Sequence, residues 1–343
     1  MKLTKRLPDF NELVKVLKRE SPSRPVMFEF ILGETKEKLL VGDAYDISNE
    51  FKRNQTRILA FRNAGYDHCP ILLQGGAFYR EAQSHQGVQT KSLNEGGVIG
   101  SREQFDSYPW PDITRLNYAL LEELAPYLEG NMKFIPYSFD GILENAIGIV
   151  GYENLCYMLY DDPDLFRDIF AKIGAITLEY YERCLGYASV GAILCNDDWG
   201  FNSQTMLSPS ILRKVVFPWY KKIVEKAHKM GKYAIVHSCG YYRDIIDDMV
   251  NEIGFDGKHS YEDNIVPVEQ AYDELHNRIA IMGGIDMNFL MHKSPQDVKV
   301  RCKALLQKTK EGGYALGSGN SIPDFIPTEN YLALLRAGLE DSE

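Results

Sequence analysis

The sequence predicts an α/β protein folded as a single-domain (β/α)8 TIM barrel, with a helical extension ahead of the first strand. Short apolar runs alternate with longer amphipathic stretches along most of the 343 residues. Several runs are apolar at nearly every position, which is typical of parallel strands buried on both faces. About eight such alternations favour a closed barrel. GETKEKLL follows the first run where a doubly wound sheet would carry a Gly-rich phosphate loop.

Each predicted strand is an apolar run. The eight runs begin at Val26, Pro70, Lys133, Gly191, Lys232, Phe255, Arg278 and Gly313. Helical patterns separate most of them, including 163–181, 208–230 and 294–309. Ser208 and Ser294 each precede a proline, which predicts a cap residue followed by a first-turn proline.

Two further stretches complete the domain, which we expect to span residues 1–343 without a linker or repeat. Asp9 and Glu12 resemble a capping box that opens an N-terminal helix. Residues 75–111 do not alternate and are rich in Gly, Gln, Ser and aromatic residues. A loop of this length usually has a function, and we expect it to cover a site.

The composition and charge of the chain argue against some classes of binding partner. The chain is 45% hydrophobic and 25% charged, with a formal net charge of -10. An acidic surface repels phosphate backbones and anionic lipids, so we expect neither nucleic acid nor membrane as a partner. The six cysteines form no CxxC pair, and the N-terminus contains no apolar signal segment. Both features predict reduced thiols and a cytoplasmic location.

The most distinctive local feature is His237-Ser238-Cys239 at the end of an apolar run. Residues i and i+2 of a strand point to the same side, so His237 and Cys239 should project together. An imidazole and a thiolate would supply half of a zinc site. The alternative is a buried histidine and a buried cysteine, which are common in protein cores.

Asp197 and Asp198 also follow an apolar run. Adjacent carboxylates repel each other, so one of them is expected to have a raised pKa. The pair would bind metal, orient a substrate or donate a proton. The alternative is that one carboxylate caps the next turn and the other faces water.

Further polar residues stand at strand ends. Glu29 lies within the first apolar run, where a carboxylate needs a partner or a ligand. Because strand ends meet at the mouth of a barrel, we expect the polar residues there to converge. They are Asp140, His259, Asp286, Ser318 and Asn320, and all of these except Ser318 are predicted to bind the substrate. Trp199, Phe78 and Tyr79 are the residues predicted to wall an apolar substrate pocket.

The chain resembles the uroporphyrinogen decarboxylase superfamily over essentially its whole length. The matching segments are DGILENAIGIVGYENLCYMLYDDPDL, DDWGFNSQTMLSPSILRKVVFPWYKKI, HSCG, and GGID followed by GSGNSIPDFIPTENYLALL. The resemblance implies the barrel fold. The HSCG segment resembles the corresponding motif in one branch of the superfamily, the methyltransferases that exchange methyl groups with corrinoid proteins.

In that branch, a His-x-Cys pair and a later cysteine bind zinc. His237 and Cys239 match the first two ligands, and the third position falls on Ser318. Serine is a poor zinc ligand compared with carboxylate, imidazole or thiolate. Glu29, Asp198 or His259 would then replace it, or the metal is absent.

The resemblance implies a corrinoid-linked methyltransferase that moves a methyl group between a small methylated substrate and a partner corrinoid protein. The substrate would be a methoxylated aromatic or a methylamine, and zinc would act as a Lewis acid. Asp197, Asp198, Glu29 and Ser318 form the predicted catalytic set. One alternative is a uroporphyrinogen decarboxylase-like enzyme, although the Arg-rich N-terminal segment of those enzymes is missing from SRPVMFEFILGETKEKLL. The other is a non-catalytic module that binds a corrinoid protein. A homodimer is compatible with the sequence.

Overall fold

The computed structural model describes residues 3, 6–80, 93–94 and 97–340. Its strands are β1 (His68–Ile71), β2 (Lys133–Pro136), β3 (Ala192–Asn196), β4 (Tyr233–His237), β5 (Gly257–His259), β6 (Ala280–Met282) and β7 (Tyr314–Ala315). Its α-helices are α1 (Phe10–Leu17), α2 (Glu34–Val41), α3 (Glu50–Ala64), α4 (Arg102–Ser107), α5 (Leu120–Glu123), α6 (Ile142–Val150), α7 (Tyr152–Asp161), α8 (Pro163–Leu185), α9 (Pro209–Val215), α10 (Phe217–Lys229), α11 (Val268–Leu275), α12 (Met287–His292), α13 (Pro295–Lys308) and α14 (Thr328–Leu339).

All strand pairs are parallel, as the apolar runs predict. Strands β3 to β7 form one sheet in chain order, and β1 pairs with β2. A parallel bridge between Tyr137 and Leu194 joins β2 to β3, so the two sheets are continuous. Helices alternate with these strands. The (β/α)8 barrel expected from the sequence is confirmed, with α1 as its N-terminal extension.

The first predicted strand is wrong as a continuous strand. On one side, the run from Val26 forms two isolated parallel bridges, from Met27 to Leu316 next to β7 and from Leu32 to Ile322. On the other side, the side chain of His68 meets it, because Nε2 of His68 lies 3.1 Å from the Glu29 carbonyl oxygen. The His68 ring also stacks on Phe28, with 4.8 Å between centroids. The run from Val26 is therefore connected to β1 by a side-chain hydrogen bond from His68, where a backbone hydrogen-bond ladder was expected.

The barrel interior forms its own apolar cluster. Inward-facing side chains from alternate strand positions, including Phe28, Leu194 and Ile235, are buried together with Phe10 and Leu17 of α1. Helix α1 therefore covers the amino-terminal end of the barrel. The chemistry-bearing residues lie at the opposite, carboxyl-terminal end, which we call the mouth.

The helix predicted over 208–230 divides at Val216 into α9 and α10. Pro218 lacks the N–H that would continue the hydrogen-bond ladder, which explains the break. Ser208 precedes α9 without a side-chain cap bond, whereas Ser294 caps α13 through Asp297 as predicted. None of the helices in the described ranges has both the length and the apolar composition needed to cross a bilayer.

The long segment 75–111 contains α4, a helix that the sequence pattern did not reveal. Tyr108 and Trp110 pack together near its end, with 4.6 Å between ring centroids. Residues 81–92, 95 and 96 of the predicted covering loop lie outside the described residues.

Candidate active site

His237 and Cys239 lie at the end of β4 and point to the same side, as the strand alternation predicts. The Sγ atom of Cys239 is 3.5 Å from Nε2 of His237. The chain turns at Gly240, whose φ is 80°. An added Cβ there would lie 2.4 Å from the carbonyl carbon of Gly200, so only glycine fits this approach.

Asp198 brings a third donor from the end of β3. Its Oδ1 accepts a hydrogen bond from the backbone N–H of Cys239 at 2.8 Å and lies 4.0 Å from Nε2 of His237. One ligand atom from each of Asp198, His237 and Cys239 lies within 4.8 Å of the others. A carboxylate, an imidazole and a thiol at such distances form a donor set able to hold a metal ion.

His259 orients the ring of His237 from the barrel interior. Its Nε2 donates to the carbonyl oxygen of Ser318 at 3.1 Å, so its Nδ1 is left as an acceptor. That Nδ1 lies 2.8 Å from Nδ1 of His237, which must therefore carry the proton. Burial lowers the pKa of His237 to about 3, so the ring is neutral. Its unprotonated Nε2 consequently faces Cys239 and Asp198.

The sulfur of Cys239 receives two hydrogen bonds. The Ser260 hydroxyl donates at 3.3 Å and the Asn320 amide donates at 3.2 Å. These donors favour the thiolate, which is the form that binds metal. Burial and the nearby Asp198 carboxylate nevertheless raise the pKa of the Cys239 thiol well above its usual value, so the thiol keeps its proton until a metal displaces it. Asn320 was predicted as a substrate-binding residue, and the structure places it against the predicted ligand Cys239.

A cavity of about 1050 Å³ opens beside this cluster at the mouth. Four of the predicted residues line it: Asp198, Cys239, Asp286 and Asn320. The remaining lining residues are Glu262, Asp263, Asn264, Met287, Asn288, Phe289, His292 and Lys293. The wall is therefore mixed, with two large apolar side chains and more carboxylates than cations.

Asp286 has two structural contacts besides its place in this wall. Its Oδ1 caps α12 by accepting the N–H of Phe289 at 2.9 Å. Its Oδ2 accepts the N–H of Asp263 at 3.0 Å. The carboxylate is therefore held firmly at the edge of the cavity.

Asp197 points away from the cavity and is fully buried. Its carboxylate accepts the N–H groups of Leu143 and Glu144 at the start of α6, both at 3.0 Å. It also accepts the Trp199 indole N–H at 2.8 Å and the Tyr220 hydroxyl at 3.0 Å. Burial raises the pKa of Asp197 to about 6, and the four hydrogen bonds limit the rise. This environment is that of a structural helix cap.

Trp199 is fully buried against Phe217 and Tyr220. The structure therefore places it in the core and not on the predicted pocket wall. Phe78 is buried against Trp110, while Tyr79 is 54% exposed and accepts the Tyr108 hydroxyl at its carbonyl oxygen. Neither Phe78 nor Tyr79 is among the residues that line the cavity.

Glu29 and Ser318 form a buried pair inside the barrel. Oε1 of Glu29 accepts the Ser318 N–H and Oε2 contacts the Ser318 hydroxyl, both at 2.7 Å. Burial raises the pKa of Glu29 to about 8. Ser318 thus uses its hydroxyl on Glu29 and does not join the ligand cluster.

Asp140 lies after β2, with φ at 54° and a half-exposed side chain. Nη2 of Arg80 donates to its carboxylate at 2.7 Å and to the Asn145 side chain at 3.0 Å. Asp140 is therefore held by an ion pair and does not line the cavity beside Cys239.

Ser260 and Lys258, which flank His259, were not among the predicted site residues. The signal was present, because a lysine within the apolar run from Phe255 is as anomalous as Glu29 in the first run.

A parallel α/β barrel with a three-donor cluster and a large cavity at the carboxyl ends of its strands has the architecture of a barrel enzyme. The profile of the uroporphyrinogen decarboxylase (URO-D) family matches residues 139–339, which include Asp198, His237 and Cys239. The chain belongs to this family.

Curated relatives are distant. Uroporphyrinogen decarboxylase of Coxiella burnetii is 21% identical over 254 residues, covering 66% of this chain and 66% of that protein. The Geobacter sulfurreducens enzyme is 22% identical over 245 residues, covering 65% of this chain and 68% of that protein. The match thus spans just under two thirds of the length of the Coxiella relative.

The fold is similar over nearly the whole chain to a methyltransferase from Methanosarcina mazei. The TM-score is 0.71 with 17% identity, covering 97% of this chain and 98% of that one. At this identity the similarity shows the common barrel fold and does not define the reaction.

Proposed function

We propose that this protein is a zinc-dependent methyltransferase that exchanges a methyl group between a small methylated substrate and a corrinoid carried by a partner protein. The observation that carries the proposal is the convergence of Asp198, His237 and Cys239 at the mouth. The resemblance of HSCG to the corrinoid-linked branch of the superfamily and the fold of the Methanosarcina methyltransferase support it.

The residues at the mouth fit zinc. Three protein donors leave one coordination position open, which is the usual arrangement of catalytic zinc. His237 is neutral with Nε2 directed at the cluster, and two hydrogen bonds would support the thiolate that Cys239 forms on binding zinc. Zinc in this position would act as a Lewis acid on the heteroatom that bears or receives the methyl group.

The side chains around the cluster have distinct roles in such a transfer. The heteroatom would keep the bonding electron pair as the methyl group leaves, and the reduced corrinoid of the partner protein would supply the methyl acceptor. Met287 and Phe289 would exclude water from one wall of the cavity, which strengthens electrostatic interactions there. His259 would hold the proton of His237 on Nδ1 throughout the reaction.

The decarboxylase alternative rests on the names of the curated relatives. Asp198, Glu262, Asp263 and Asp286 line the cavity with a single lysine, Lys293. A substrate that bears several carboxylates would be repelled by this wall. The composition of the cavity therefore favours the methyltransferase.

The metal is tested by elemental mass spectrometry on protein purified without a tag or chelating column. We expect about one zinc per chain, lost in His237→Ala and Cys239→Ala. Cys156→Ala and His228→Ala are matched controls, because Cys156 lies on α7 and exposed His228 lies on α10. No zinc in wild-type protein, even after zinc is supplied, would refute the zinc mechanism.

The reaction is tested with cob(I)alamin and a set of methoxylated aromatics and methylamines. We expect conversion to methylcobalamin, followed by absorbance, with wild-type protein and with both control variants. Conversion should be lost in His237→Ala and Cys239→Ala. Release of carbon dioxide from a carboxylated tetrapyrrole, without methylcobalamin formation from any donor, would favour the decarboxylase instead.

A further inference from the structure

Lys258 is a fully buried cation directly behind the candidate metal site. It lies on β5 beside Val236 of β4 and precedes His259, so its side chain and that of His259 leave the strand on opposite sides. Across the described ranges, no carboxylate forms an ion pair with its ammonium group. A buried charge without a paired anion is costly, so its retention requires a reason.

The Lys258 ammonium connects two loops of the site. Its Nζ donates to the carbonyl oxygen of Ser260 at 2.6 Å and to that of Ser238 at 3.3 Å. Ser238 stands between His237 and Cys239, while Ser260 follows His259 and donates its hydroxyl to the sulfur of Cys239. One side chain thus joins the loop that supplies two ligands to the loop that supports them.

Aromatic rings hold this ammonium in place. The rings of Tyr242 and Tyr261 both have centroids 4.4 Å from Nζ. Their hydroxyls are buried without a hydrogen-bond partner in the described part of the chain. The tyrosines therefore contact Lys258 through their ring faces, in an arrangement typical of cation–π contacts.

We infer that Lys258 is a positioning residue that sets the metal-binding geometry of His237 and Cys239, by tying the carbonyl groups of Ser238 and Ser260 between two tyrosine rings. The inference rests on the proposed function, because it assigns Lys258 a task at the proposed zinc site. The side chain acts through the backbone of the two loops and contacts neither substrate nor metal.

Positioning and simple electrostatics predict opposite effects of removing Lys258. A positive charge near Asp198 and Cys239 repels a metal cation, so its loss alone would tighten metal binding. Loss of the two carbonyl contacts releases the ligand loops and would weaken binding. Changes in groups that orient ligands typically cost about 10–100-fold in metal affinity.

The test compares wild-type protein with Lys258→Met, which keeps the length of the side chain but removes charge and donors. We expect Zn²⁺ to bind about 10–100-fold more weakly to Lys258→Met in a chelator competition. With Co²⁺ as the probe, the ligand-field and thiolate-to-cobalt bands should shift, because the ligand geometry changes. Lys36→Met is the matched control, since Lys36 is also buried and donates to a backbone carbonyl, that of Asp324.

The outcomes separate this inference from the proposed function. Equal or tighter Zn²⁺ binding by Lys258→Met with an unchanged Co²⁺ spectrum overturns the positioning role and leaves the metal site standing. No binding of either metal by wild-type protein overturns both. If Lys258→Met fails to fold by circular dichroism, Lys258→Leu replaces it. This variant also lacks the charge and the N–H donors, so wild-type affinity and spectrum in it would equally overturn the inference.

Discussion

Replacing Glu29 with glutamine should remove a pH dependence of stability that the buried carboxyl imposes. Burial raises the pKa of Glu29 from 4.5 to about 8. The folded protein therefore holds a proton that the unfolded chain releases above about pH 4.5. The stabilisation is complete below that pH and is lost as pH rises through about 8.

The size of this stabilisation follows from the difference between the pKa of Glu29 in the folded protein and its pKa in the unfolded chain. Each pH unit within the window changes the unfolding free energy by at most about 1.4 kcal/mol, which sets an upper bound of about 5 kcal/mol overall. Glu29→Gln keeps the shape of the neutral acid, and its amide can accept the Ser318 N–H and donate to the Ser318 hydroxyl. It should match wild type near pH 5 and exceed it by several kcal/mol near pH 9.

In the folded protein, the groups that face Glu29 do not titrate within this window, and their titration in the unfolded chain is the same in variant and wild type. Burial lowers the pKa of His68 to about 4 and that of His259 well below its ordinary value. Burial raises the pKa of Tyr66 and of Tyr331 well above the usual range. The difference between variant and wild type therefore reports on Glu29 itself.

The assay is urea unfolding followed by circular dichroism at a series of pH values, with Glu225→Gln as an exposed control on α10. The stability of the control minus that of wild type should not vary with pH. If the stability of Glu29→Gln minus that of wild type is equally flat from about pH 5 to about pH 9, the reasoning is refuted, because Glu29 would then have the same ionisation in both states.

Three other predictions concern the cap, the histidine pair and the metal. Asp197→Ala leaves the N–H groups of Leu143 and Glu144 unpaired, so urea unfolding should show that the free energy of unfolding falls by about 3–5 kcal/mol. A fall of less than about 1 kcal/mol would contradict the capping role. His259→Ala frees the ring of His237, so zinc affinity in a chelator competition should fall about 10–100-fold, and an unchanged affinity would argue against the histidine pair. Zinc should raise the melting temperature of wild-type protein and a chelator should reverse this, while no shift with saturating zinc would count against a folded-state site.

The sequence predicted the barrel and the His237–Cys239 pair because both depend on local regularity. Parallel strands buried on two faces leave nearly continuous apolar runs, and these are visible without tertiary information. His237 and Cys239 lie two positions apart at a strand end, so alternation alone places them on the same side. In the structure, 3.5 Å separates Sγ of Cys239 from Nε2 of His237, so the alternation extends beyond the last residue of β4.

The sequence could not show which of the two neighbouring carboxylates, Asp197 or Asp198, faces the mouth. Adjacent residues on an extended chain point in opposite directions, but nothing local decides which direction is the mouth. The backbone of Asp197 donates to the carbonyl oxygen of His237, and this register with β4 turns Asp198 toward Cys239. The helix N-terminus that Asp197 caps belongs to α6, more than fifty residues earlier in the chain.

A second long-range contact explains why the sequence around Ser318 does not show which residue would be the third ligand. The partner of Ser318 is Glu29, at the other end of the chain, and their contact keeps the Ser318 hydroxyl inside the barrel. In the proposed site, Asp198 supplies the negative charge that a second cysteine thiolate would have contributed, so the ligand set keeps its total charge. It exchanges a sulfur donor for an oxygen donor, and oxygen ligands suit harder metal ions. The site should therefore discriminate less strongly in favour of soft metals than one with two thiolates, although zinc still fits it.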